Sequence, residues 1–178
     1  MEILANGTRK DARRLVALYN QGANAKVFDY NNKTKQIIVS PDISSNLNYY
    51  AEQIKSVIDS KNQTVLNSVS SDKSTIVGDA KTSKLDVADM EALNGAFAAL
   101  HETIEQSFVQ NPNWKSHDTS KVVKAHNQAL QTEKNCRGIS SPEYKNEING
   151  DKTEFHIVDV ATDESVDIFK IENGNIKK

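Results

Sequence analysis

The strongest constraint on the fold is a short apolar stretch that runs directly into a group of titratable side chains. Small and apolar residues fill positions 95–100, and His101, Glu102 and Glu105 follow at once. The larger apolar residues of this segment recur at helical spacing: Phe97, Leu100, Ile104 and Phe108. This pattern predicts a largely buried helix over about 94–109. Because an unpaired histidine or carboxylate is costly to bury, the fold must supply partners for these side chains.

The spacing of His101 and Glu105 predicts half of a metal site. Residues four apart lie on the same helical face, so both side chains can point at one ion. Imidazole nitrogen and carboxylate oxygen both bind zinc, with bonds of about 2.0–2.2 Å. In the H-E-x-x-H pattern two histidines bind zinc, and the glutamate is the general base that acts on a metal-bound water. Here the second histidine is replaced, giving H-E-x-x-E with Glu102 as the expected base.

A catalytic zinc site needs a third protein ligand and a fourth position for water. The next helix, expected over about 118–135, carries His126. A short, proline-containing turn joins the two helices, so we expect them to pack side by side. The predicted ligands are therefore His101, Glu105 and His126, the two-histidine, one-carboxylate chemistry of thermolysin-like sites with the order along the chain altered. Glu133, two turns after His126, is either an indirect partner of the site or an alternative ligand.

The sequence also allows other interpretations of these residues. His101 and the two glutamates near it can instead form a solvated helical face that binds no metal. His117 borders the expected cleft, whereas its neighbour Asp118 is a good helix cap. Cys136 is the only cysteine, so an internal disulfide is excluded, and we expect a structural thiol near the end of a helix.

The two helices carry a family resemblance at motif level. Ala-Leu-His-Glu-Thr-Ile-Glu-Gln at 99–106 and Ala-His-x-x-Ala-x-x-x-Glu at 125–133 are similar to segments of the zincin-type metallopeptidase domains in bacterial polymorphic (Rhs-type) toxins and related secreted or phage-linked proteins. The order of elements over about 1–137 resembles these domains as well. The resemblance implies the zinc ligands and the base named above. It also implies a peptide or protein substrate, an immunity protein as a further partner, and secretion or delivery within a larger bacterial polypeptide.

The remaining pattern predicts the α+β class, with one domain over 1–178. We expect a small mixed or antiparallel sheet, and the resemblance implies zincin-like packing of two central helices, with a core over about 8–137. The expected helices cover about 8–21, 45–59, 94–109 and 118–135. The expected extended segments are a hairpin within 25–40, strands at 64–69 and 75–77, a short piece at 85–87 and a C-terminal hairpin over about 154–171.

Charge and hydropathy exclude two classes of partner. The formal net charge is -2, and no stretch is rich in lysine and arginine, so we expect no nucleic-acid partner. No apolar run approaches the ~18 residues of a membrane span, and the N-terminus lacks a signal-peptide core. Three functions remain: a zinc-dependent peptidase, a catalytically inactive zincin-like binding module associated with a phage or secretion system, and an unrelated α+β interaction protein.

Overall fold

The fold was obtained as a computed structural model that describes residues 2–43, 46–70, 78–79, 81–92, 95–113, 119–139, 142–149, 152–159, 164–172 and 175–177. For 119–120 and for every range after residue 139, the description covers the backbone. The helices in these ranges are α1 (Arg9–Ala23), α2 (Tyr49–Asp59), α3 (Val87–Ala92), α4 (Ala96–Val109) and α5 (Thr119–Arg137). The strands are β1 (Ile3–Gly7), β2 (Phe28–Asn31), β3 (Gln36–Val39), β4 (Thr64–Val69), β5 (Gly78–Asp79), β6 (Lys84–Asp86), β7 (Pro142–Asn149), β8 (Lys152–Asp159), β9 (Glu164–Glu172) and β10 (Asn175–Lys177).

The first six strands form one mixed sheet in the order β2-β3-β1-β4-β6-β5. At its centre, β4 pairs in parallel with both β1 and β6, and antiparallel pairing continues the sheet towards both edges. Side chains alternate across the strands, and one face is buried through residues such as Ile3, Ala5 and Leu66. This face shares a core with α1, α2 and α4. The α+β class predicted from the sequence is confirmed, and among the described residues β5 is the last strand on one side of this sheet, its edge strand.

The last four strands form a separate antiparallel sheet in the order β10-β9-β8-β7. The hairpin expected over about 154–171 corresponds to β8 and β9, which pair from Lys152↔Glu172 to Asp159↔Glu164. The sequence did not predict β7 and β10, which extend this hairpin on either side.

The end of α1 differs from the sequence expectation. The helix was expected to end at about residue 21, before Gly22, but it continues to Ala23, and Asn24 caps it in the left-handed conformation at φ 53°. Asparagine tolerates this conformation better than most residues. Gly22 has a different role, because a Cβ there would overlap the ring of Tyr50 on α2. The glycine therefore allows α2 to pack closely against α1.

The extended piece expected at 85–87 lies one residue earlier in the structure, as β6 (Lys84–Asp86). Val87, the last residue of the expected piece, begins α3 instead, because the Asp86 carboxylate accepts hydrogen bonds from the backbone N–H groups of Ala88 (3.0 Å) and Asp89 (3.2 Å). An aspartate at this position stabilises a helix N-terminus. The strand expected at 75–77 lies outside the described residues.

Two tyrosines hold α4 in place within the core. The Thr103 hydroxyl donates to the carbonyl of Ala99, so the Tyr19 hydroxyl of α1 donates to Thr103 Oγ1 at 2.5 Å. The Tyr50 hydroxyl of α2 donates to the carbonyl of Ala96 at 2.6 Å. These buried hydrogen bonds fix the rotation of α4 about its axis, and they thereby set which of its side chains face α5.

The bond from Tyr19 provides a test of this packing. We expect Tyr19→Phe to lower the free energy of unfolding by about 1 kcal/mol, because a buried hydrogen bond is lost while the ring volume is kept. Urea denaturation measures this change. The matched control is Tyr49→Phe, since Tyr49 is 43% exposed and its change should stay within about 0.5 kcal/mol. Equal effects of the two substitutions would contradict a specific role for the buried hydroxyl.

Candidate metal centre

The structure brings together the three side chains that the sequence predicted as metal ligands. His101 and Glu105 lie one turn apart on α4, and His126 faces them from α5. The Nε2 atom of His101 lies 3.1 Å from Nδ1 of His126 and 3.5 Å from Oε2 of Glu105. The same carboxylate oxygen lies 3.5 Å from Nδ1 of His126. Three donor atoms on two helices thus converge on one small region.

These separations fit a metal ion that binds four ligands in a tetrahedron. Zinc bonds of about 2.0–2.1 Å place the ligand atoms of a tetrahedral site ~3.3–3.4 Å apart, close to the three distances observed. His101 and Glu105 are each 5% exposed, whereas the His126 side chain is 46% exposed. The group therefore opens towards solvent on the α5 side. Among the described side chains, these three residues form a group that could hold a metal ion.

Glu133 contacts the ring nitrogen of His101 that faces away from the other two proposed ligands. It lies two turns after His126 on α5 and is 1% exposed, and its Oε2 atom is 3.1 Å from Nδ1 of His101. The other ring nitrogen, Nε2, faces Glu105 and His126. A carboxylate on the far nitrogen fixes the orientation of a ligand histidine. The geometry thus makes Glu133 an indirect partner rather than an alternative ligand.

The charges of the group shift the pKa values of its members. Burial lowers the pKa of His101, but hydrogen bonds to the Glu105 and Glu133 carboxylates outweigh it and raise that pKa to about 10. Burial raises the pKa of Glu105, and the two histidines reverse this effect and hold it at about 2. The Glu105 carboxylate is therefore ionised beside a positively charged His101 ring.

Glu102 lies beside the ligand group, against the edge strand of the sheet. A Cβ on Gly78 of β5 would overlap the Glu102 carboxylate, so the glycine leaves the space that this side chain occupies. Burial raises the pKa of Glu102 to about 7, although His101 favours the ionised form. A carboxylate with this pKa can accept a proton near neutral pH.

Several residues weighed in the sequence have other outcomes. Cys136 is half-buried near the end of α5 and forms no disulfide, and burial raises the pKa of its thiol to about 12. His117 and Asp118 lie outside the described residues. The sequence reasoning missed Gly78, for which it offered no signal, and Arg137, whose Nε donates to Glu133 at 2.7 Å. The spacing of four residues from Glu133 to Arg137 could have identified this pair.

Comparisons with known proteins return no relative for this chain: no family model, no curated protein and no solved structure matches it. None of the described helices combines the length and the apolar composition needed to cross a bilayer. The case for a metal site therefore rests on the geometry of the three donor atoms.

The ligand group generates a direct test of metal binding. We expect chelator-treated protein to bind one zinc ion per chain in a calorimetric titration. Removal of a ligand by His126→Ala or Glu105→Ala should weaken binding by more than the ~10–100-fold that an indirect partner contributes.

The matched controls are Asn127→Ala, next to His126 on the exposed face of α5, and Glu102→Gln, which alters a side chain outside the ligand group. Both should bind zinc as the wild type does. Equal zinc affinity in the ligand variants and in the wild type would refute the site.

Proposed function

We propose that the protein is a zinc-dependent peptidase whose ligands are His101, Glu105 and His126 and whose general base is Glu102. The observation that carries this proposal is the placement of a half-buried carboxylate, Glu102, beside a three-donor group that opens to solvent. Two histidines and one carboxylate are the ligand set of several zinc peptidases. Zinc, when bound, would supply Lewis acidity, polarising a peptide carbonyl and lowering the pKa of water.

The role of Glu102 follows from its position. Its carboxylate occupies the space above Gly78, next to the ligand group but outside it. From there it can take a proton from the attacking water and later deliver a proton to the leaving amine. The buried surroundings that raise the pKa of this carboxyl suit it to both steps.

The edge strand supports a peptide as the substrate. β5 pairs with β6 on one side, through Gly78↔Leu85 and Asp79↔Lys84, and it is the last strand of the described sheet on the other. An extended peptide can add to such an edge through backbone hydrogen bonds. Because Glu102 lies against Gly78, a peptide bound along β5 would pass beside the proposed base.

A second candidate is a binding module of similar architecture that performs no hydrolysis. The residue that favours it is Glu105, because a carboxylate ligand lowers the charge of the site in comparison with three histidine ligands. The resemblance to toxin domains supports either candidate in a secreted or delivered bacterial polypeptide, with an immunity protein as its inhibitor.

Substitution of the proposed base separates the two candidates. We expect Glu102→Gln to lower the rate of peptide hydrolysis by about 10²–10⁴-fold, the usual contribution of a general base. Zinc affinity should stay unchanged, because Glu102 is not a ligand. Hydrolysis of a peptide library, followed by mass spectrometry, measures the loss. If the two proteins cleave alike, or if neither cleaves, the peptidase proposal is wrong.

The close approach of Gly78 provides a subtler test. We expect Gly78→Ala to push the Glu102 carboxylate away and to lower kcat on the order of 10²-fold, the effect of a misplacement of about 1 Å. The end of a glutamate side chain can move at little cost, so folding and zinc affinity should be retained. Unaltered kcat in a variant that folds and binds zinc normally would show that this contact does not position the base.

A further inference from the structure

A chain of contacts leads from the candidate metal centre to the far end of α5. Glu133 contacts His101 with one carboxylate oxygen and accepts from Arg137 Nε with the other. The guanidinium carbon of Arg137 lies 4.2 Å from the centroid of the Phe97 ring on α4. The Arg137 side chain is 10% exposed and that of Glu133 is 1% exposed. The ion pair of Glu133 and Arg137 is therefore largely shielded from water.

We propose that Arg137 is a positioning residue for the metal centre and acts through Glu133 on His101. This inference rests on the proposed zinc function and adds to it a residue that touches neither metal nor substrate. A buried carboxylate needs compensating charge and a full set of hydrogen-bond partners. Arg137 supplies a positive charge and a hydrogen bond to Oε1 of Glu133. The other carboxylate oxygen, Oε2, then faces Nδ1 of His101. The Nε2 atom of that ring is thereby held towards the other ligands.

The geometry requires an arginine at this position. The guanidinium is planar, so its face can stack on Phe97 while its edge donates to Glu133. A lysine ammonium is a point charge and cannot hold both contacts in one orientation. Phe97 and His101 lie one turn apart on α4, and Glu133 and Arg137 lie one turn apart on α5. These contacts thus hold α4 and α5, which carry the proposed ligands, against each other.

The first experiment compares zinc affinity with stability. We expect Arg137→Met, which keeps an unbranched apolar side chain near Phe97, to raise the Kd for zinc by about tenfold. Arg137→Lys should also weaken binding, because it cannot make both contacts. The matched control is Lys134→Met, which removes one positive charge from the same turn of α5 and should leave the Kd unchanged. A lower Tm of the metal-depleted protein with an unchanged Kd would give Arg137 a merely structural role and overturn the proposal.

A double-mutant cycle tests whether the effect passes through Glu133. We expect Glu133→Gln to weaken zinc binding, and we expect Arg137→Met to add little in the Glu133→Gln background, because the partner on which Arg137 acts has already been altered. Additive losses in the double variant would show that Arg137 acts by another route.

Nuclear magnetic resonance of the metal-depleted protein separates this proposal from the zinc function itself. A hydrogen-bonded Nδ1–H of His101 should give a slowly exchanging downfield proton signal in the wild type and in Lys134→Met, and Arg137→Met should lose it. This result would support the positioning role even if the wild type bound no zinc, an outcome that would end the proposed function alone. An unchanged signal in Arg137→Met would overturn the positioning role, whatever the zinc titration shows.

Discussion

The interface between α4 and α5 depends on one electrostatic constraint: two carboxylates are buried there, and positive charge must lie between and beside them. Glu105 and Glu133 are 5% and 1% exposed. Neither could remain ionised at this depth without a cation or a donor in contact. His101 lies between the two, with one ring nitrogen towards each, and Arg137 closes the far side. A metal ion at the ligand group would supply positive charge at this place.

The rest of the fold serves to bring this interface to the edge of the sheet. Tyr19 and Tyr50 bind α4 from α1 and α2 at two points along its length, so contacts outside the interface with α5 fix its rotation. The parallel centre of the sheet then ends in β6 and the antiparallel β5. Because Gly78 lies on β5 and touches Glu102, the proposed base lies against the last strand on this side of the described sheet.

The sequence predicted what depends on periodicity and missed what depends on contacts between distant segments. Helical spacing gave α4 and α5, and the cost of burying His101 predicted that a partner helix would meet it. The strand β1 was not predicted, because Ile-Leu-Ala-Asn-Gly contains residues of low strand propensity; parallel pairing with β4 makes it a central strand. Spacing alone could not decide between the two roles of Glu133, since that depends on which ring nitrogen of His101 it reaches. Likewise, no local pattern marks Gly78.

Glu105 stands where the H-E-x-x-H pattern has its second histidine. This difference changes the order of the ligands along the chain more than their chemistry. A thermolysin-like site also has two histidines and one carboxylate, so its ion carries the same ligand charge as one held by His101, Glu105 and His126. The difference is that α4 supplies the carboxylate and α5 the second imidazole. The lower charge that favours an inactive module therefore applies in comparison with a three-histidine site only. For the proposed peptidase, the water position of the metal would have to face Glu102, whose carboxylate lies against Gly78 of β5.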